Sequence, residues 1–247
     1  MFQHRGYKKS YKRASRLSGI LLLSAVSALA PSVARGQATG DVQQMENPGA
    51  GAPPIRQRVE SDLTFEGQGS FGNYQIFAQG TDSKLFTGGV EYDRHSWGYF
   101  LGSQVYYVAE FLPFVLLDEP AELNYYGVVE STNKGRRRLV PGIGITPIGI
   151  RFLWRDGKAI RPYLMAKGGL LVFTQKALSP NASYENISLQ SSVGLEIRLT
   201  NRVDLRMGMG DYHFSNAFVV PSNPGLDVMS YMYGISYHFG PHDRRTR

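Results

Sequence analysis

Toward the C-terminal end of the chain, Asp211-Tyr212-His213-Phe214-Ser215-Asn216-Ala217 is followed by Asn223-Pro224-Gly225-Leu226-Asp227. A histidine and a serine two apart on a strand leave the same face with about 6.5 Å between their backbones, so the imidazole can approach the hydroxyl. Such a pair can act as general base and nucleophile. Placing Ser215 opposite Asp227 in the closing hairpin also brings Val203 opposite Phe239, so that both strands end together. Asp227 then lies diagonally across from His213, within reach of a carboxylate. A histidine held by an acid and facing a hydroxyl is the arrangement of a serine hydrolase.

Other groups compete for attention. A zinc site made from Asp211, His213, Asp227 or His238 lacks the compact ligand spacing that zinc proteins use. Arg136, Arg137 and Arg138 follow a long connection, where they are either solvated or turned toward lipid phosphates. The Asn181-Ala-Ser and Asn186-Ile-Ser tripeptides match a glycosylation pattern that short motifs produce by chance.

The elements that must position His213, Ser215 and Asp227 are strands. From Leu63 the chain divides into apolar, aromatic and glycine-rich stretches at about 63–78, 83–93, 96–111, 140–154, 160–174, 188–199, 202–215 and 227–239. In the last three the odd positions are apolar, as in Leu189, Val193, Leu195, Val203, Leu205, Met207, Tyr231, Tyr233 and Ile235. The even positions include Gln190, Glu196, Asp204, Arg206 and His238. A soluble sandwich alternates in the same way. These stretches are longer than the ~5–6 residues usual in soluble sheets, however, and exceed the ~9–11 that cross a membrane. Charged residues of both signs on one face suit the interior of a barrel.

The expected fold is therefore all-β, an eight-stranded antiparallel transmembrane β-barrel. Its short connections fall at Arg94-His95, at Arg155 to Lys158 and at Thr200-Asn201, and its long ones follow the third, fifth and seventh strands, the first and last of them at 112–138 and 216–226. Short turns inside and long loops outside are the habit of outer-membrane barrels. Two features fit less well. The connection after the first strand looks short, and the fifth strand is apolar on both faces. The fourth strand changes phase, which a bulge near Thr146-Pro147 would explain. His213, Ser215 and Asp227 share the parity of the lipid-facing residues, so the site faces lipid at the long-loop end.

At the other end of the chain, Arg5, Lys8, Lys9, Lys12, Arg13 and Arg16 precede the apolar run Ile20 to Ala30. A transmembrane helix needs ~20 apolar residues, so this run reads as a cleaved signal peptide. Gly36-Gln37-Ala38 is the better small-x-small site, and the mature chain starts near Thr39. The expected segments are a signal peptide at 1–38, a flexible stretch at 39–61, a barrel at 62–240 and a tail at 241–247. The net charge of +7 arises from 27 basic and 20 acidic residues. Seven of the basic ones precede Thr39, which leaves the mature chain neutral and removes the argument for nucleic-acid binding. Cysteine is absent, so this exported chain is held together without disulfides.

The segment His213-Phe-Ser215-Asn216-Ala217, with Asn223-Pro-Gly and an acid twelve residues after the serine, resembles the lipid A 3-O-deacylase (PagL) family. The resemblance implies an eight-stranded outer-membrane barrel that hydrolyses the ester-linked 3-O acyl chain of lipid A, without metal or other cofactor. Its partners would be lipid A, as lipopolysaccharide, and the outer membrane. Ser215 would be the nucleophile, His213 the general base, Asp227 the group that orients His213, and Asn216 the oxyanion donor. Asp227 stands where the family has a glutamate, so lengthening it to glutamate is expected to retain or raise activity. Asn216 has inward parity, so its role requires the backbone to turn there. Phe239 suits a terminal barrel aromatic, although Gly240-Pro-His-Asp-Arg-Arg-Thr-Arg follows it. The reading from another class is a barrel without enzymatic activity that binds lipid or stabilises the envelope.

Overall fold

A computed structural model describes residues 60–239; the expected signal peptide, most of the stretch at 39–61 and the tail at 241–247 lie outside the described residues. Eight antiparallel strands close on themselves in chain order. They are β1 (Ser61–Tyr74), β2 (Lys84–Phe100), β3 (Ser103–Pro120), β4 (Arg137–Trp154), β5 (Ile160–Phe173), β6 (Glu185–Arg198), β7 (Val203–Ser215) and β8 (Leu226–Phe239). Closure comes from β1 pairing with β8, from Ser61 opposite Phe239 to Tyr74 opposite Asp227.

Closure of the sheet and its exposed apolar outer face settle the choice between a sandwich and a membrane barrel. The outward positions expose Phe65, Ile143, Ile145, Ile148, Leu164, Leu189, Val193, Tyr233 and Ile235. A continuous apolar surface of this kind belongs in lipid. Trp97, Tyr99, Phe100 and Phe239 are exposed toward the short-turn end, as in the aromatic girdle of such barrels.

Two strand boundaries correct the sequence reading. The second strand does not turn at Arg94-His95; it continues past a register shift, pairing His95 with Tyr106 and Phe100 with Ser103. The turn falls at Leu101 and Gly102, both with positive φ, the backbone that a two-residue hairpin needs. The first strand stops at Tyr74 rather than near residue 78, so residues 75–83 form a loop in their own right. With that change every connection at one rim is long, at 75–83, 121–136, 174–184 and 216–225, and every connection at the other is short. The bulge expected near Thr146-Pro147 is present as a register shift between Ile145 and Ile148.

The interior is a packed core rather than a pore. Near the long-loop rim it is apolar, formed by Leu85, Leu112, Leu117, Phe173, Phe214 and Val228 among others. Deeper, Lys167 Nζ lies 2.9 Å from Glu66, 2.8 Å from Glu91 and 2.9 Å from Glu110. Below it Arg206 pairs with Glu91, with Asp93 at 2.6 Å and with Glu196 at 3.2 Å. Arg151 pairs with Asp62, Asp93 and Glu196. At the short-turn rim Arg161 meets Glu196 and Asp204, and His238 bridges Asp62 at 2.5 Å and Asp204 at 2.7 Å. Tyr163 and Met165 pack against Tyr106, Val108, Leu153 and Met232. This second apolar cluster is why β5 reads as apolar on both faces.

Candidate active site

The β7–β8 register differs from the sequence expectation by two residues. His213 stands directly opposite Asp227, and Val203 opposite Tyr237 rather than Phe239. A shift of two leaves every side chain on its expected face, because strand parity repeats every second residue. Its physical cause is the turn: Gly225, at φ +61°, bends the chain so that β8 begins at Leu226 and seats Leu226 opposite Phe214, both fully buried inside the barrel.

Direct opposition brings the acid onto the histidine. His213 Nδ1 and Asp227 Oδ1 are 2.6 Å apart. With Nδ1 donating to the carboxylate, Nε2 is the nitrogen left to take a proton from a nucleophile. Ser215 lies two residues further along the same face, half-buried, and no hydrogen bond joins it to His213. Such contacts are often loose before substrate binds.

Asp227 is fully buried despite its outward parity. The 75–83 loop covers it, and three consecutive backbone N–H groups donate to its Oδ2: Ile76 at 2.9 Å, Phe77 at 2.7 Å and Ala78 at 3.0 Å. The Phe77 ring meets the His213 ring edge to face, with centroids 5.8 Å apart. Sequence reading missed these three residues because it drew the first strand through them. The signal was available in the one connection that broke the rhythm of short and long.

The backbone does turn at Asn216. Ala217 and Phe218 take positive φ values of 51° and 63°, and β7 has already ended at Ser215. Asn216 is buried, and its groups shape the loop. Its N–H donates to Asn223 Oδ1 at 2.9 Å, its Nδ2 donates to the Ser222 carbonyl at 2.7 Å, and its Oδ1 accepts the Phe218 N–H at 3.0 Å. One side-chain N–H of Asn216 and the Ala217 backbone N–H have no partner among the described residues.

The remaining loops converge on the same segment. Ser222 Oγ donates to the Tyr125 carbonyl at 2.7 Å and lies 3.1 Å from Ser179 Oγ. Gln79 and Gly80 donate to the carbonyls of Pro224 and Gly225. Residues 222–225 thus form a junction that ties the 216–225 loop to its three neighbours.

The other candidates separate from the site. His238 is buried at the opposite rim with Asp62 and Asp204, so the four possible zinc ligands are not together. The cluster Glu66, Glu91 and Glu110 has the spacing to hold an ion, and Lys167 Nζ already sits among its oxygens. The three arginines pair with Glu122, Asp118 and Glu119 in turn, so they brace the β3–β4 connection.

The family model for lipid A 3-O-deacylase (PagL) matches residues 90–236, a span that takes in His213, Ser215, Asn216 and Asp227. The chain belongs to the lipid A 3-O-deacylase family. Lipid A deacylation is that family's activity, and membership carries with it the outer membrane as location and lipid A as partner. No curated protein sequence matches the chain. Among solved structures, the outer membrane enzyme PagL is 13% identical, with 71% of this chain and 97% of that chain covered and a TM-score of 0.48. The outer membrane protein OprG from Pseudomonas aeruginosa is 12% identical, with 75% and 98% covered and a TM-score of 0.44.

Proposed function

We propose that this lipid A 3-O-deacylase family member hydrolyses the 3-O ester-linked acyl chain of lipid A by a serine mechanism, with the long loops outside the cell. The observation that carries the reading is the His213–Asp227 pair at 2.6 Å, with Ser215 on the same outward face at the rim. Ser215 Oγ attacks the acyl carbonyl carbon while His213 Nε2 accepts the hydroxyl proton. Negative charge gathers on the former carbonyl oxygen, and the donors for it are the spare Asn216 side-chain N–H and the Ala217 N–H. As the carbonyl re-forms, the sugar oxygen leaves with the proton from His213, and the acyl group remains on Ser215. Water then attacks the acyl-serine, giving its proton to His213, and the fatty acid departs as the serine oxygen recovers that proton.

Asp227 fixes the His213 tautomer and stabilises the ring when it is protonated. Because the site faces lipid, an acyl ester in the outer leaflet can approach without leaving the membrane. No step calls for a cofactor. Mass spectrometry of lipid A from cells with and without the protein tests the reading. The expected result is loss of one 3-O-linked acyl chain in the expressing cells, and unchanged lipid A would overturn it.

A further inference from the structure

We propose that the 75–83 loop is a positioning element of the site: its three backbone N–H groups hold Asp227 and make aspartate, not glutamate, the acid that fits. This inference rests on the catalytic reading of His213 and Asp227. A carboxylate has two oxygens, and both are committed here, Oδ1 to His213 and Oδ2 to Ile76, Phe77 and Ala78. Three converging N–H groups form a small anion cradle. With one oxygen fixed by the cradle, the other is aimed across the strand pair at Nδ1, and the ring orientation follows. The Phe77 edge against the ring limits the same rotation from the side.

The cradle is itself held rigidly. Gln79 N–H donates to the Pro224 carbonyl at 2.7 Å and Gly80 N–H to the Gly225 carbonyl at 3.2 Å. Asn73 Nδ2 reaches across the loop base to the Ser83 carbonyl at 2.7 Å. The cradle and the histidine therefore stand at a fixed separation that an aspartate side chain spans. A glutamate carries one more methylene into a fully buried position, so its carboxylate cannot keep both sets of contacts. The packing thus reverses the sequence expectation for Asp227→Glu.

The test uses the purified full-length barrel. Ile76→Pro removes one donor, since proline has no N–H, at an exposed side chain, and Ile76→Ala, which keeps the donor, is its reference. Expected are a kcat about tenfold lower in Ile76→Pro than in Ile76→Ala, with KM alike, as for loss of one hydrogen bond to a charged group. Asp227→Glu should also lose kcat. Equal kcat in the two Ile76 variants, or full activity in Asp227→Glu, overturns the proposal.

Two readouts do not depend on the reaction. The His213 Nδ1 proton should give a low-field resonance that weakens in Ile76→Pro and in Asp227→Glu but persists in Ile76→Ala. The amides of residues 76–78 should exchange slowly and become fast in Asp227→Ala. Fast exchange already in the wild type refutes the cradle. A slow-exchanging cradle in a protein that releases no fatty acid refutes the reaction while leaving the cradle in place.

Discussion

Gly80 and Gly225 meet so closely that a Cβ on Gly80 would stand 2.4 Å from the Gly225 carbonyl oxygen. Real Cβ atoms do not come that close to a neighbour, and the obstacle is backbone, so one of the two loops must give way. Gly225 is constrained in turn, since it has a positive φ and its own added Cβ would lie 3.2 Å from Ser215 Cβ.

The consequence is a testable separation of activity from folding. Gly80→Ala should push the 75–83 loop off the 216–225 loop and lower deacylation by about tenfold or more, the equivalent of losing roughly one well-placed hydrogen bond in the transition state. The barrel should keep its heat-modifiable gel mobility, because its strand pairing is untouched. Wild-type turnover in the folded variant would show that this contact does not support the site.

The ion network gives the opposite separation. Replacing Lys167 by methionine leaves Glu66, Glu91 and Glu110, whose oxygens lie within 4.8 Å of one another, without their shared cation. Breaking a buried ion cluster from one side costs about 3–5 kcal/mol. Lys167→Met should therefore lower the urea midpoint of the barrel in detergent markedly, while the folded fraction keeps its kcat because the cluster lies inside the barrel and the site on its outer face. An unchanged midpoint would mean that the glutamates are satisfied by other means.

Orientation follows from the division into long and short connections. Peptide tags inserted in 121–136 or 174–184 should be labelled on intact cells, and a tag in 155–159 should be labelled only after the outer membrane is permeabilised. The reverse pattern would turn the barrel over and move Ser215 away from the outer leaflet.

Much of this was legible in the sequence, for physical reasons that also mark where legibility ended. Alternation fixed the inward and outward faces of β6, β7 and β8, because burial in lipid and burial in the core impose a period of two. It could not fix register, since a slip of two preserves every face, and so Asp227 was expected opposite Ser215 when it stands opposite His213. The bulge at Thr146-Pro147 left its trace in a change of phase. The 75–83 loop left its trace only as the connection that broke the rhythm of short and long, and its three donors left none, because they are backbone N–H groups that every residue but proline carries. The turn at Leu101-Gly102 was hidden by a register shift between His95 and Tyr99 that lets aromatic residues continue through it. Asn216 was recognised by resemblance, but its part in tying down the loop depends on Ser222, Asn223 and Phe218, which only the fold assembles.

The most direct measurement is fatty-acid release from purified lipid A by the wild-type barrel and by Ser215→Ala, followed by mass spectrometry. Ser215 is half-buried and its side chain makes no hydrogen bond among the described residues, so its replacement should leave the fold and its thermal stability within about 0.5 kcal/mol of wild type. Removal of the nucleophile in such a triad costs several orders of magnitude in rate, so the variant should show no release above background. Folded Ser215→Ala protein that releases the 3-O acyl chain as fast as wild type would contradict both the serine mechanism and the assignment of this site.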